Sequence, residues 1–218
     1  MNIFKLVLVL STFVFLVSCD SATEPVEIES QLLMPLKVGN EWTYTDTNFE
    51  DSKVTVEDFR YLVTRLEDVN IGYKQYKAFV LTGHNSKNEQ VVQEFFTCNS
   101  IGLYTYGSEN DPFNLLYRDL LLKYPVSVNE RWNTYYHYFT PTTHRFSHDT
   151  CIVECLSIKE QITVPAGTFK CVKYQYTLNT GAKAIENWSE SVGMISYQRF
   201  DKEGKLEESS VLKRRNFN

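Results

Sequence analysis

No enzyme signature interrupts this sequence: it has no G-x-S-x-G elbow, no H-E-x-x-H pair, no glycine-rich phosphate loop and no D-x-D-x-D-G calcium loop. Elbow-type hydrolysis, zincin chemistry, phosphate cradling and EF-hand calcium binding therefore have no anchor here. Basic runs are almost missing too. The only one is Lys213-Arg214-Arg215, and three residues closing a strand read as an edge-protecting cluster, which argues against a nucleic-acid partner. Glycine is scarce, nine residues against fourteen Tyr, fourteen Phe and three Trp, a balance that favours strands. Long apolar runs are confined to the N-terminus, and no later stretch approaches the ~18 residues of a spanning helix.

That N-terminal run carries the clearest signal. Residues 2–5 (Asn-Ile-Phe-Lys) supply a short positive region, and Leu6 to Val17 an apolar one too short to span a bilayer. Leu16-Val17-Ser18-Cys19 then reads as a lipobox, which predicts a signal peptide over 1–18 and acylation of Cys19. Two or more acyl chains anchor stably where one binds only marginally. An ordinary secretory cleavage near Ser18 is the weaker alternative. Residues 20–31 (DSATEPVEIESQ) are acidic, small and polar, so 19–31 reads as the acylated cysteine and a flexible tether. Once Lys5 is removed, 21 basic side chains face 27 acidic ones, a net charge of −6. The expected location is the bacterial envelope, with the outer membrane favoured and the periplasmic face or the cell surface both open. Asp20 argues the other way under the enteric sorting rule, which many Gram-negative bacteria ignore.

The remaining chain, 32–218, is expected to form a single β-rich domain. It contains a weak internal repeat: L-x-x-P-x-x-V-x-x-x-W occurs at Leu32 to Trp42 and again at Leu122 to Trp132, an offset of 90. Gly102 and Gly193 follow at an offset of 91. Pseudo-repeats of about 32–110 and 122–218 are therefore expected, each closing its apolar face on the other, with Trp42 and Trp132 in equivalent, mostly buried positions. Period-2 patterning predicts strands near 42–47, 54–66, 73–82, 90–97 and 102–106, then 132–139, 150–163, 168–178, 183–189, 193–200 and 206–214. Ile152, Leu156, Ile158 and Ile162 share one strand face, expected to meet the core. Pro165-Ala166-Gly167 is expected at a hairpin tip. Asp111-Pro112 followed by Phe113, Leu116, Tyr117, Leu120, Leu121 and Tyr124 has helical spacing and predicts one short connecting helix. The fold class is thus mainly β: a large twisted antiparallel sheet or half-barrel of two pseudo-repeated halves with that helix between them.

PLKVGNEWTY (35–44), ITVPAGTFKC (162–171) and WSESVGMISY (188–197) resemble motifs of exported bacterial lipoproteins related to a domain-of-unknown-function family of antiparallel β-proteins. The resemblance implies a twisted sheet or half-barrel, similar to lipoprotein carriers of the envelope, and lends no activity. In such proteins the position of Asn129 is often Gly, as Gly39 is, so the second turn departs from the pattern.

Candidate sites are sparse. Cys98, Cys151, Cys155 and Cys171 could form two disulfides or stay as buried thiols; an extended 151–155 segment separates its two cysteines by about 13 Å and excludes their pairing. Pairing Val164 with Thr168 places Cys171 opposite Gln161, about 20 Å along the strand from Cys155. His144, His148, Cys151 and Cys155 are residue types that bind zinc, but the surrounding Pro141, Thr and Ser residues favour solvent-facing loop histidines over a shared ion. His137 reads as a strand-face residue, and Glu109-Asn110-Asp111 as a solvated loop and helix cap before it reads as a weak calcium site. Trp42, Trp132 and Trp188 read as core before they read as a ligand groove. No cofactor is expected. The function expected is a non-catalytic binding or assembly module with a hydrophobic, glycan or protein ligand; a metal-dependent enzyme and an acyl-chain carrier are the alternatives.

Overall fold

The computed structural model describes residues 33–50, 53–108, 117–140 and 145–217, and of these all side chains but 108, 136–140 and 145–149. The expected signal peptide over 1–18, Cys19, the expected tether, residues 109–111 and His144 lie outside the described residues. Twelve antiparallel strands run through them: β1 (Glu41–Glu50), β2 (Lys53–Ile71), β3 (Lys74–His84), β4 (Gln90–Asn99), β5 (Gly102–Ser108), β6 (Asp119–Lys123), β7 (Arg131–Thr140), β8 (Arg145–Val164), β9 (Gly167–Leu178), β10 (Lys183–Ser189), β11 (Gly193–Phe200) and β12 (Leu206–Asn216). They form one sheet in the order β6-β5-β4-β3-β2-β1-β12-β11-β10-β9-β8-β7. Two six-stranded meanders are therefore joined through the β1–β12 ladder, which runs from Glu41 opposite Asn216 to Asn48 opposite Glu208.

The sheet curls until β6 and β7 meet. That last seam is held by side chains: Asp119 Oδ2 accepts from Thr134 Oγ1 at 2.5 Å and from the Tyr135 backbone N–H at 2.7 Å. Trp132 Nε1 donates across the same seam to the Leu121 carbonyl at 3.3 Å. The result is a nearly closed barrel. Closure sets against each other the two sheet edges that would otherwise offer unpaired backbone groups to other chains.

Strand β6 occupies the second half of the segment whose spacing predicts a helix, and no helix occurs among the described residues. Leu122 and Leu121 pack into the main core while Leu120 packs against a second cluster around Val80 and Phe95. A strand covered on both faces shows a continuous apolar run, which periodicity cannot tell from a buried helix. The face of β8 is also the reverse of the expected one. Cys151, Val153 and Cys155 point into the core while Ile152 and Ile158 are exposed. Irregularities between Cys155 and Ser157 and between Ser157 and Glu160 then turn the strand, so that Ile162 packs inward.

The β8–β9 turn is a two-residue Pro165-Ala166 loop with Val164 opposite Gly167, so the pairing is one residue tighter than expected and Cys171 faces Glu160. Gly167 has φ +129°, and a Cβ there would meet only the Phe169 ring at 3.8 Å; the demand for glycine is one of backbone conformation and not of space.

One end of the barrel is filled by Leu33, Met34 and Leu36 packing on Trp42, Trp188 and Val192. Trp42 is fully buried and donates from Nε1 to the Val192 carbonyl at 2.6 Å. Truncating a buried indole of this kind typically costs about 3–5 kcal/mol. Trp132, by contrast, is half-buried. The turns that precede the two tryptophans share one hydrogen-bond pattern. Gly39 N–H donates to Val63 O and Val63 N–H to Asn40 O, while Asn129 N–H donates to Cys155 O and Cys155 N–H to Glu130 O. Gly39 has φ +93° and Asn129 φ +67°. Asparagine is one of the few residues that enters the left-handed region readily, which is how the second turn keeps its shape without glycine.

Candidate functional site

Register places residues of β8 to β12, β1 and β2 in inward rows. Tyr44 lies opposite Phe59 of β2 and Leu212 of β12, and Asp46 opposite Glu57 and Ser210. Further round, Arg199 lies opposite Glu208, Tyr197 opposite Ser210, Glu186 opposite Tyr197 and Tyr174, and Tyr174 opposite Cys155. Glu94 of β4 enters the same interior opposite Leu81. Three of the rows alternate an acid with apolar or aromatic neighbours: Trp42, Tyr44, Asp46; Val92, Glu94, Phe96; and Ala184, Glu186, Trp188. The lumen is therefore aromatic and carboxylic where a simple core would be hydrocarbon.

These acids differ in how they are satisfied. Glu186 is buried and accepts from Trp188 Nε1 at 2.7 Å and from Tyr176 OH at 2.9 Å. Burial pushes its carboxyl up to about 7, against the lowering effect of those two donors. Burial alone raises Glu94 to about 7. Asp46 also rises to about 7, chiefly through burial, with Glu208, Glu57 and Asp58 adding to the rise and a hydrogen bond from Ser210 opposing it. Its Oδ1 is buried with no hydrogen-bond partner among the described residues. Glu208 is raised by burial, and Arg199 draws it back from 3.7 Å. Tyr44 and Tyr61 lie within electrostatic reach of Asp46; burial, and then the nearby acids, raise both phenols well above the ordinary tyrosine range.

Such a set can bind. At neutral pH carboxyls with pKa near 7 are partly ionised, and each can accept a hydrogen bond or hold a cation in a low-dielectric interior. Asp46 Oδ1 accepts no hydrogen bond from the described residues although it is buried, which leaves an acceptor without a donor in the interior.

Of the residues singled out in the sequence, Cys155, Trp42 and Trp188 reach these rows, Cys155 as an unreactive thiol. Cys98, Cys151, Cys155 and Cys171 are all free thiols. Cys151 donates to Thr134 O at 3.6 Å, Cys155 to Ser157 O at 3.7 Å and Cys171 to Phe169 O at 3.7 Å. Burial pushes the Cys171 thiol up to about 11 and raises Cys155 as well, the opposite of what a reactive thiolate needs. His148 sits on β8 opposite His137 of β7, while Cys151 and Cys155 project into the core. Among the described residues no group of three His, Cys, Asp or Glu side chains is arranged to hold a metal ion. Trp188 is the one of the three tryptophans that reaches a lumen carboxyl.

Residues 155–212 match the DUF3108-like family model. The match runs from the middle of β8 into β12 and so includes Glu186, Arg199 and Glu208. Two solved structures are similar to the chain. One, from Bacteroides fragilis, is described as an exported protein with a YmcC-like fold and shares 15% identity over 86% of this chain and 100% of its own, with a TM-score of 0.49. The other, from Parabacteroides distasonis, is described as a lipoprotein and shares 15% identity over the same fractions, with a TM-score of 0.46. No curated protein matches the chain.

Proposed function

We propose that this chain is a lipid-anchored protein of the bacterial cell envelope, acylated at Cys19, whose barrel is a non-catalytic binding module. The observation that carries the binding reading is Asp46: a carboxylate on an inward row whose Oδ1 is buried with no hydrogen-bond partner among the described residues. An acceptor left unsatisfied in a protein interior costs about 1–3 kcal/mol, which a ligand N–H or O–H donor would offset. Glu94, Glu186 and Glu208 add acceptor character round the same interior, with the Arg199 guanidinium beside Glu208. The ligand that fits is an amphiphile bearing an amine or amine-like donor, with an apolar part for Tyr44, Tyr61 and Phe59. An unsubstituted acyl chain fits less well, because hydrocarbon would cover these carboxyls without pairing them. We also propose that the two meanders descend from one duplicated unit. Leu32 to Trp42 repeats at Leu122 to Trp132, and Val92, Glu94, Phe96 repeats as Ala184, Glu186, Trp188, giving each half one lumen acid from its fourth strand.

Melting curves with amines of graded apolar size, set against the matching carboxylates, test the ligand class. Amines should raise the melting temperature, more at pH 8 than at pH 6 because the lumen acids ionise around pH 7, and Asp46→Asn should lose most of that rise. Equal shifts from amines and carboxylates, or an undiminished shift in Asp46→Asn, would remove the reading.

A further inference from the structure

The two ends of the barrel differ in what their loops carry. In an antiparallel meander alternate connections open on opposite ends, so the segment before β1, the β2–β3, β4–β5, β6–β7, β8–β9 and β10–β11 connections and the end of β12 all lie at one end, where Glu190 of the β10–β11 connection is also exposed. Exposed large apolar side chains tip four of them: Val38, Tyr73, Ile101 and Val128, with Tyr73 97% and Ile101 56% exposed. The described connections at the other end are 85–89, 179–182 and 201–205, reading NSKNE, NTGA and DKEGK, and none of them exposes a large apolar residue. Exposed apolar residues elsewhere, such as Val54 and Val56, are on strands of the barrel wall.

We propose that the apolar-tipped end is a membrane-docking surface that lies against the lipid headgroups and upper acyl chains. The proposal rests on the reading of Cys19 as the acylated residue. Two further observations select a bilayer as the occupant. The chain enters the described structure at Leu33, at this same end, only fourteen residues after Cys19; a strand of that length spans at most about 50 Å, so the anchor keeps this end near the membrane. Strand β12 also leaves here, with Arg214 exposed 3.9 Å from Glu41 and Arg215 exposed over the Phe169 and Phe217 rings, and Lys37 lies exposed next to Val38. Basic side chains round an apolar tip complement the anionic headgroups of a bacterial leaflet, while the apolar tips partition below them. Docking in this pose directs the polar-looped end away from the lipid.

The test uses the full chain, purified from membranes and reconstituted into vesicles of phosphatidylethanolamine and phosphatidylglycerol whose acyl chains are brominated near the headgroup. Tryptophan is placed at the tips, as Tyr73→Trp or Ile101→Trp, and on the wall toward the other end as Val56→Trp, where the native residue is 64% exposed. These positions lie on the surface, so the fold is expected to tolerate the change. The added emission of Tyr73→Trp and Ile101→Trp should be quenched by the brominated lipid, with no added quenching for Val56→Trp. Absence of quenching at both tips, or equal quenching at Val56→Trp, would overturn end-on docking. The mass of the N-terminal peptide, measured on the same samples, reads acylation separately. A missing acyl mass with quenched tips would remove the anchor and leave the docking surface; an acylated peptide with unquenched tips would remove the docking surface and leave the anchor.

Discussion

At the scale of single residues, the unusual positions are acids placed where alternation calls for a hydrophobe. Glu186 shows what this costs. Its carboxyl is raised from the ordinary glutamate range to about 7, so protonation is favoured by the folded state. The contribution is fully present below the ordinary pKa of about 4.5 and is lost as pH rises through 7; Asp46 and Glu94 act in the same direction. The protein should therefore melt at a higher temperature at pH 5 than at pH 8. Glu186→Gln keeps an oxygen for Tyr176 OH and Trp188 Nε1 while removing the charge, and should stabilise by about 1–3 kcal/mol at pH 8 with little effect at pH 5. Thermal melts across that range check it; a destabilised Gln variant at pH 8 would mean that the ionised carboxylate is the better partner for its two donors. These acids were legible in principle. Trp42-x-Tyr44-x-Asp46 and Ala184-x-Glu186-x-Trp188 keep strict period-2 spacing with an aromatic on the same face, which marks the acid as inward. Taken singly, each looks like any solvent-facing Glu or Asp in a strand.

At the scale of elements, long alternating runs and turn residues located eleven of the twelve strands, and the twelfth failed for a physical reason. Leu120, Leu121 and Leu122 of β6 are packed on both faces, so the period-2 signal vanishes and the apolar spacing imitates a helix. The inverted face of β8 has a different cause. Outward Ile152 and Ile158 are as apolar as inward Cys151, Val153 and Cys155, and the irregularities near Ser157 that exchange the faces leave no mark in composition. Strand β6 also carries the seam, where one carboxylate takes the place of a ladder. Asp119→Ala removes the acceptor of Thr134 Oγ1 and of the Tyr135 N–H together. Hydrogen exchange at Tyr135 and its β7 neighbours should speed up by about tenfold or more, with little change in the β1–β12 ladder. Uniform acceleration through the barrel would mean that the seam does not open on its own. Tyr174, whose hydroxyl donates to Lys123 O at 2.8 Å from β9, is a further tie at this edge beside Trp132.

For the whole molecule, the two meanders form a barrel with a filled end, a carboxyl-lined interior, and apolar loops at the end where the N-terminal segment enters. The mainly β class and the curled antiparallel sheet could be read from patterning, because alternation over ten to twenty residues has no competing explanation. The lumen could not, because which face turns inward is decided by closure of the sheet, a property of all twelve strands together. The proposed anchoring and binding meet in one measurement: native mass spectrometry of the protein released gently from its own membrane. The account predicts a chain beginning at Cys19 with acyl groups attached, carrying a noncovalent small molecule that Asp46→Leu loses. A bare polypeptide without added mass, or a bound molecule retained in full by Asp46→Leu, would contradict it.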